Sequence, residues 1–401
     1  MKKTKKALAS LAIASMVMTT VPFNAFAAGT IPTRLAGQTA AQTAVKIADQ
    51  TGWTGTAILA SSETYGTCDV LTAGPLSKFL NAPILLQEAG SVLNADTKAE
   101  LTRLNVKKVY VTSGTAVISQ AVINELKAMG ITVESLGGND RFDTSVNIAK
   151  KLVALGAPVK KVAVAYGWLN QDALSIASIA SAAVEPIILT EKAGLPASAK
   201  AFLAANPSIT TSDVIGGTGV IDASVLAQLP SPTRHWGMTA YDTNNQVIQD
   251  FASSLSFNNV FVANAVTAID AVAGAPLAAM TKSPIVLTDG VNSPAVAAFT
   301  FSKSSASTVV TALGGLYVIP EQLRLDIAAG KVSTGVAGEL AITSISALDD
   351  TNTFLQVNFS KPVTTGLVPS NISIKNAKTL ETYGVKAVTL APDGMLSLIH
   401  I

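Results

Sequence analysis

VEPIILTE, Val184 to Glu191, has two relatives elsewhere in the chain: NAPILLQ, Asn81 to Gln87, and KSPIVLT, Lys282 to Thr288. Their prolines, Pro83, Pro186 and Pro284, lie 103 and 98 residues apart. Proline lacks the N–H that a central ladder requires, so it fits best as the first residue of a strand. The branched residues that follow it then enter a core, and the closing Gln87, Thr190 or Thr288 emerges at the C-terminal edge of the strand.

With the three prolines in register, other residues align without gaps. Asp69, Asp172 and Asp270 each lie 14 positions before their proline, and Gly114, Gly217 and Gly315 each lie 31 positions after it. Upstream, Gly37, Gly138 and Gly237 open GQTAAQTAVKIA, GNDRFDTSVNIA and GMTAYDTNNQVI, each with a threonine six positions on (Thr43, Thr144, Thr243). Such periodicity marks tandem copies of one structural unit.

Within the first copy, apolar runs at Thr56 to Ala60, Pro83 to Gln87, Lys107 to Thr112 and Ile131 to Leu136 read as strands. Helical patterns fall near Ala40 to Gln50, Asp69 to Leu80, Asn94 to Leu104 and Ala116 to Met129. Strands alternating with helices at this spacing predict βαβ units around a parallel sheet, whose doubly covered strands are continuously apolar. In open sheets of this kind, ligands bind at the C-terminal rim of the strands. The double-glycine positions are expected to end a strand and open a helix, leaving helix N–H groups free for an anion. The aspartates are expected to begin a helix, with capping and dipole compensation as their ordinary role.

Composition narrows the compartment and the class. At 401 residues with 49% hydrophobic and 13% charged residues, the chain has material for several compact cores. The opening MKKTKKALASLAIASMVMTTVPFNAFAAGT carries four lysines, an apolar run and the small-x-small site Ala25-Phe26-Ala27, which predicts a secretory signal peptide over 1–27. Losing those lysines takes the formal charge from +2 to −2, which leaves no basic field for nucleic acid. Later apolar stretches are interrupted, for example at Glu185-Pro186 and Asp270, before they could span a bilayer. The lone Cys68 cannot form an intrachain disulfide and reads as a small buried residue.

The pattern Arg-x-x-Gly-x-x-Arg-x-x-Thr-Ala, then Asp-Ala-Leu, Ala-Pro-Ile-Leu-Leu and Gly-Gly-Thr, resembles the clostridial type 2 cell-wall-binding repeat, found in tandem threes in Gram-positive surface-layer and cell-wall proteins. The resemblance covers roughly residues 33 to 330. It implies three tandem Rossmann-like parallel-sheet modules with pseudo-threefold arrangement, spanning 33–135, 136–233 and 234–330. It also implies non-covalent attachment to an anionic secondary cell-wall polymer linked to peptidoglycan, with other surface-layer subunits as further partners. Each copy keeps one of the two family arginines: Arg34 in RLAGQTAAQTA, Arg141 in SLGGNDRFDTS and Arg234 in RHWGMTAYDTN. The missing places hold Ala40, Ser135 and Ala240. A guanidinium suits phosphate or carboxylate. Arg34, Arg141 and Arg234 are thus the expected polymer contacts, with Asp69, Asp172, Asp270, Gly114, Gly217 and Gly315 shaping the rim. An ordinary salt bridge, for instance of Arg141 with Asp140 or Asp143, is the alternative.

After a glycine-rich linker at 331–341, alternating strands from 342 to 395 predict a partial all-β domain resembling the bacterial Ig-like domains of surface proteins, VNFSKPV being its recognisable core. Asp349 and Asp350 there read as a hairpin turn in preference to a calcium site. The last six residues, LSLIHI at 396–401, match a translated library adapter and are expected to be non-biological.

Catalytic chemistry finds little material. Only His235 and His400 are present, so neither a Ser-His-Asp triad nor a two-histidine zinc site can be assembled. GGTGVID, Gly216 to Asp222, lacks the third glycine spacing of a dinucleotide loop, and no cofactor is expected. Glu63 and Asp69 could form a carboxylate pair, but the second copy lacks a counterpart to Glu63. A wall anchor is therefore the first reading. The wall-binding part of a peptidoglycan hydrolase, an N-acetylmuramoyl-L-alanine amidase or its modifier, is the second.

Overall fold

The computed structural model describes residues 31–63 and 67–332 and, further on, 342–347, 354–359, 363, 367–375, 382–390 and 396–400. The expected signal peptide, nearly all of the expected linker and the Asp349-Asp350 pair lie outside the described residues.

The first repeat runs β1 (Arg34–Leu35), α1 (Ala40–Asp49), β2 (Thr56–Ser61), α2 (Thr67–Val70), α3 (Gly74–Leu80), β3 (Ile84–Gln87), α4 (Ala95–Arg103), β4 (Lys108–Val111) and α5 (Gln120–Ala128). The second runs β5 (Thr132–Ser135), α6 (Arg141–Ala154), β6 (Lys161–Tyr166), α7 (Asn170–Ala183), β7 (Ile187–Thr190), α8 (Ala197–Ala205), β8 (Thr211–Ile215) and α9 (Ala223–Leu226). The third comprises β9 (Pro232–His235), α10 (Ala240–Asp250), β10 (Asn259–Asn264), α11 (Ile269–Met280), β11 (Ile285–Thr288), α12 (Val296–Lys303), β12 (Val309–Leu313) and α13 (Glu321–Ala328).

These strands form three separate parallel sheets, ordered β3-β2-β4-β5, β7-β6-β8-β9 and β11-β10-β12-β1. The fourth strand of each sheet thus comes from the start of the following repeat. The third sheet takes its fourth strand from the beginning of the first repeat, pairing Arg34 with Ala312 and Leu35 with Leu313. This exchange closes the repeats into a ring. Helices α3, α7 and α11 pack against one another at its centre, and one continuous apolar core contains Leu76, Ala177 and Leu277 from the three.

Each proline-led strand lies at a sheet edge, yet β3, β7 and β11 are buried throughout. The prolines precede the ladder and contribute only their carbonyls, which accept from Ile58, Ala163 and Phe261 N–H groups at 2.9, 2.9 and 3.0 Å. No proline N–H is needed there, which is why the residue is tolerated. Helices α1, α6 and α10 cover these edges. In the third module Asn244 on α10 completes the cover: its Nδ2 donates to Ile285 O and its Oδ1 accepts from Leu287 N, both at 3.0 Å. In the second, Ser145 Oγ accepts from Leu189 N at 3.1 Å.

Beyond the ring, β13 (Ile342–Ala347), β14 (Phe354–Phe359), β17 (Ala387–Leu390) and β18 (Leu396–His400) form an antiparallel sheet ordered β13-β14-β18-β17. A separate short pair joins β15 (Ile374–Lys375) and β16 (Thr382–Tyr383). The closing residues of the chain thus pair between β14 and β17, with Ser397 and Ile399 buried. Among the described residues no helix is long and apolar enough to cross a membrane.

Candidate functional site

The aligned residues gather at three junctions, where the C-terminal tips of one sheet meet the opening corner of the next repeat. The corner itself has one construction. Gly37, Gly138 and Gly237 donate their N–H to Thr43, Thr144 and Thr243 Oγ1 at 3.0, 2.9 and 3.1 Å. A Cβ at any of the three glycines would collide with the side chain of Gln42, Asp143 or Asp242. The helix that follows is capped by Thr39, Asp140 or Thr239, whose side chains accept from Gln42, Asp143 and Asp242 N. The glycine and threonine spaced six apart are therefore the two ends of one hydrogen bond.

Asp69, Asp172 and Asp270 occupy like positions in the first turns of α2, α7 and α11, and all are buried. Asp172 and Asp270 lie inside the first turn and not at the expected cap position, which Leu169 and Ala268 occupy without a side-chain cap bond. Burial pushes the Asp172 carboxyl up to about 7 and that of Asp270 to about 6. Asp69 is also raised by burial, against the opposing pull of Ser113, Arg141 and Thr144. Two of the three press on glycine backbone. A Cβ at Gly216 would approach Asp172 Oδ2 to 2.5 Å, and one at Gly314 would approach Asp270 Oδ2 to 2.6 Å. Gly216 and Gly314 also adopt φ of 120° and 108°, so both conformation and space demand glycine. The first copy has Ser113 at this place.

The aligned Gly114, Gly217 and Gly315 behave differently. Each carbonyl accepts two N–H groups, from Val117 and Ile118, Val220 and Ile221, or Val318 and Ile319. These bonds fold a turn before the helix, which begins only at Gln120, Ala223 or Glu321. The expected glycine turn opening directly into a helix is thus replaced by a turn that consumes its own N–H groups.

The arginines reach the same junctions. Arg34 Nη1 donates to Gly314 O at 2.8 Å, and its Nη2 pairs with Glu321 at 2.8 Å. Arg234 Nη1 donates to Gly216 O at 2.5 Å and Nη2 to Ile221 O at 2.8 Å. Both brace the glycine turn of the preceding sheet. Arg141 instead donates to Gly167 O at 2.9 Å and lies 4.1 Å from the Trp168 ring centroid. All three arginines are half-buried. The second junction is a cleft of about 200 Å³ lined by Gln171, Asp172, Gly217, Trp236, Met238 and Thr243 among others.

Several features of the rim escaped the alignment. Trp168, Trp236 and Tyr317 are 53%, 49% and 78% exposed, large aromatic surfaces on the rim. They occupy different repeat positions, so registering the copies hides them. Gln87, Thr190 and Thr288 are buried and anchor the following loops, for example through Thr288 Oγ1 to Asn292 O at 2.7 Å. Cys68 is buried with its thiol pKa raised by desolvation. No group of three or more metal-ligating side chains occurs among the described residues.

Comparison with known proteins follows these junctions. The profile of cell wall binding domain 2 (CWB2) matches residues 34–123, 135–226 and 234–324. The N-acetylmuramoyl-L-alanine amidase LytC of Bacillus subtilis (strain 168) is 34% identical over 260 residues, 65% of this chain and 50% of the amidase. The amidase enhancer of the same organism is 29% identical over 299 residues, 74% of this chain and 40% of the enhancer. Among solved structures, Cwp6 from Clostridium difficile superposes with a TM-score of 0.68 at 28% identity, covering 75% of this chain and 48% of Cwp6. Cwp8 from Clostridium difficile gives 0.66 at 28% identity, covering 74% of this chain and 51% of Cwp8. The chain thus spans about half the length, or less, of these relatives. With three matched copies, one per opening corner and glycine turn, the chain belongs to the cell wall binding domain 2 family.

Proposed function

We propose that the chain is a secreted anchor that holds a surface protein non-covalently to an anionic polymer of the cell wall through its three repeat junctions. The observation carrying this reading is recurrence: one arrangement of arginine or stacked arginine, glycine turn and buried aspartate stands at each repeat junction. A polymer with a repeating anionic group can engage such sites together, and linked weak contacts raise overall avidity. Arg34, Arg141 and Arg234 are the proposed anion partners, with Asp69, Asp172, Asp270, Gly114, Gly217 and Gly315 shaping the junctions. The chain acts here by binding and not by catalysis. Other surface-layer subunits are proposed as neighbours on the wall.

Sedimentation with native and polymer-stripped cell walls tests the reading. Binding is expected to native walls only and to fall with salt. The triple variant Arg34→Ala, Arg141→Ala, Arg234→Ala is expected to lose both affinity and salt dependence while still melting cooperatively. Equal sedimentation with stripped walls would refute polymer attachment. The likeness to LytC and to the amidase enhancer supports a second reading, in which these repeats deliver a peptidoglycan hydrolase or its modifier to the wall. Wall lysis by the full-length protein would favour it.

A further inference from the structure

The three repeats serve as internal controls for one another, and one position set breaks their likeness. In the second module Lys161, Asp213 and His235, on β6, β8 and β9, join Asp250 at the end of α10. Lys161 Nζ donates to Asp213 Oδ2 at 2.9 Å, His235 Nε2 lies 3.3 Å from Asp213 Oδ1, and His235 Nδ1 lies 2.7 Å from Asp250 Oδ2. Glu185, just before Pro186, faces the same group. Strand registers place Thr56, Tyr110 and Leu136 of the first module, and Asn259, Thr311 and Leu35 of the third, where Lys161, Asp213 and His235 stand. Ala82 and Ser283 precede the other two prolines in place of Glu185. The fold therefore does not need these charges, and burying them works against stability.

What the charges border is a cleft of about 540 Å³ at the opposite end of the strands from the repeat junctions, between the second module and the segment that follows α10 in the third repeat. Ile179, Val184, Phe251 and Leu255 provide an apolar wall, while Lys160 and Lys282 are exposed at its edge. Neither lysine has an acidic partner among the described residues. Glu185, only 4% exposed, lines the cleft with a buried Oε1 that has no hydrogen-bond partner. An unmatched buried polar atom of this kind requires an explanation.

We propose that this cleft is a second ligand site, one that takes a small organic anion with an apolar or ring-shaped body, such as a phosphate monoester. The ammonium groups of Lys160 and Lys282 meet the anion, the apolar wall meets the body, and Glu185, protonated and hydrogen-bonded to Asp213, adds no charge that would repel the anion. Burial, with the charge and hydrogen bond of Asp213 alongside, pushes Glu185 up to about 8, so the carboxyl is neutral at neutral pH. Lys161 and His235 act against this rise from β6 and β9, and Asp250 faces Glu185 only through His235.

Titration of the full chain with phenyl phosphate, followed by NMR of the lysine side chains and the indole N–H groups, tests the site. Saturable shifts at Lys160 and Lys282, with Trp236 unmoved, are expected. Lys160→Ala with Lys282→Ala should weaken binding about tenfold, the loss of charge-assisted contacts. Binding by the native chain should weaken as pH rises through about 8. Glu185→Gln should keep the affinity and lose this pH dependence, since an amide still donates to Asp213 and never becomes charged. Absence of saturable shifts, or a saturable shift at the cleft-lining Lys161 with unchanged affinity in a double lysine variant that melts normally, overturns the proposal. The Arg34, Arg141, Arg234 variant should bind phenyl phosphate normally, which separates this site from wall attachment. Competition by phenyl phosphate against wall sedimentation would assign the ligand to the wall polymer, and its absence alongside saturable binding would assign it to a free anion. Either result upholds the site.

Discussion

Asn244 satisfies two backbone groups of a buried edge strand with one amide. Asn244→Ala leaves both without that partner and is expected to destabilise the chain by about 2–3 kcal/mol, read from denaturant unfolding. The aligned Thr243 is visible in the chain as a repeated residue, whereas its neighbour varies as Ala44, Ser145 and Asn244 and so carries no signal of its role. The aspartates add a pH dependence. Burial raises the folded-state pKa of Asp172 to about 7 and of Asp270 to about 6, above the ordinary 3.8. The folded protein therefore holds protons that the unfolded chain releases, and stability falls as pH rises from about 4 to about 7. Asp172→Asn with Asp270→Asn should flatten that fall, which is on the order of a few kcal/mol, in melting curves taken across this range. Their alignment reveals a shared place but not its burial.

Among the elements, the proline-led strands were legible as β structure covered on both faces, but their place at the sheet edge was not. They are edge strands covered by helices, and a run of apolar residues cannot distinguish a helix from a strand as its cover. The left-handed residues two positions before each proline, Asn81, Val184 and Lys282, with φ of 49°, 56° and 53°, turn the chain from helix to strand. A β-branched residue is strained in that region. Val184→Asn, which copies the first repeat, should stabilise the α7–β7 connection by about 1 kcal/mol, measured as a rise in melting temperature. The candidate site was legible as a set of aligned positions. The bracing of Gly216 and Gly314 by Arg234 and Arg34 follows from contacts across repeats.

At the scale of the whole molecule, the ring depends on β1. Arg34 and Leu35 complete the sheet built from β10 to β12, and Thr311 Oγ1 donates to Pro32 O at 2.8 Å. Removing residues 31–35 would leave β12 as an open edge and Glu321 without Arg34. Amide exchange is expected to rise along Val309–Leu313 while Lys108–Val111, paired within its own sheet, keeps its protection. Equal protection in both strands would refute closure through β1.

The amino-acid order alone settles three α/β units, their strands and most helices, because apolar periodicity and recurring glycine, aspartate and proline are local properties repeated about every hundred residues. Which unit owns each fourth strand, and which copy acquires a charged cleft, was decided only on folding. Parallel pairing joins residues as far apart as Arg34 and Ala312, and the environment of a carboxyl or guanidinium is set by neighbours that no short stretch of chain contains.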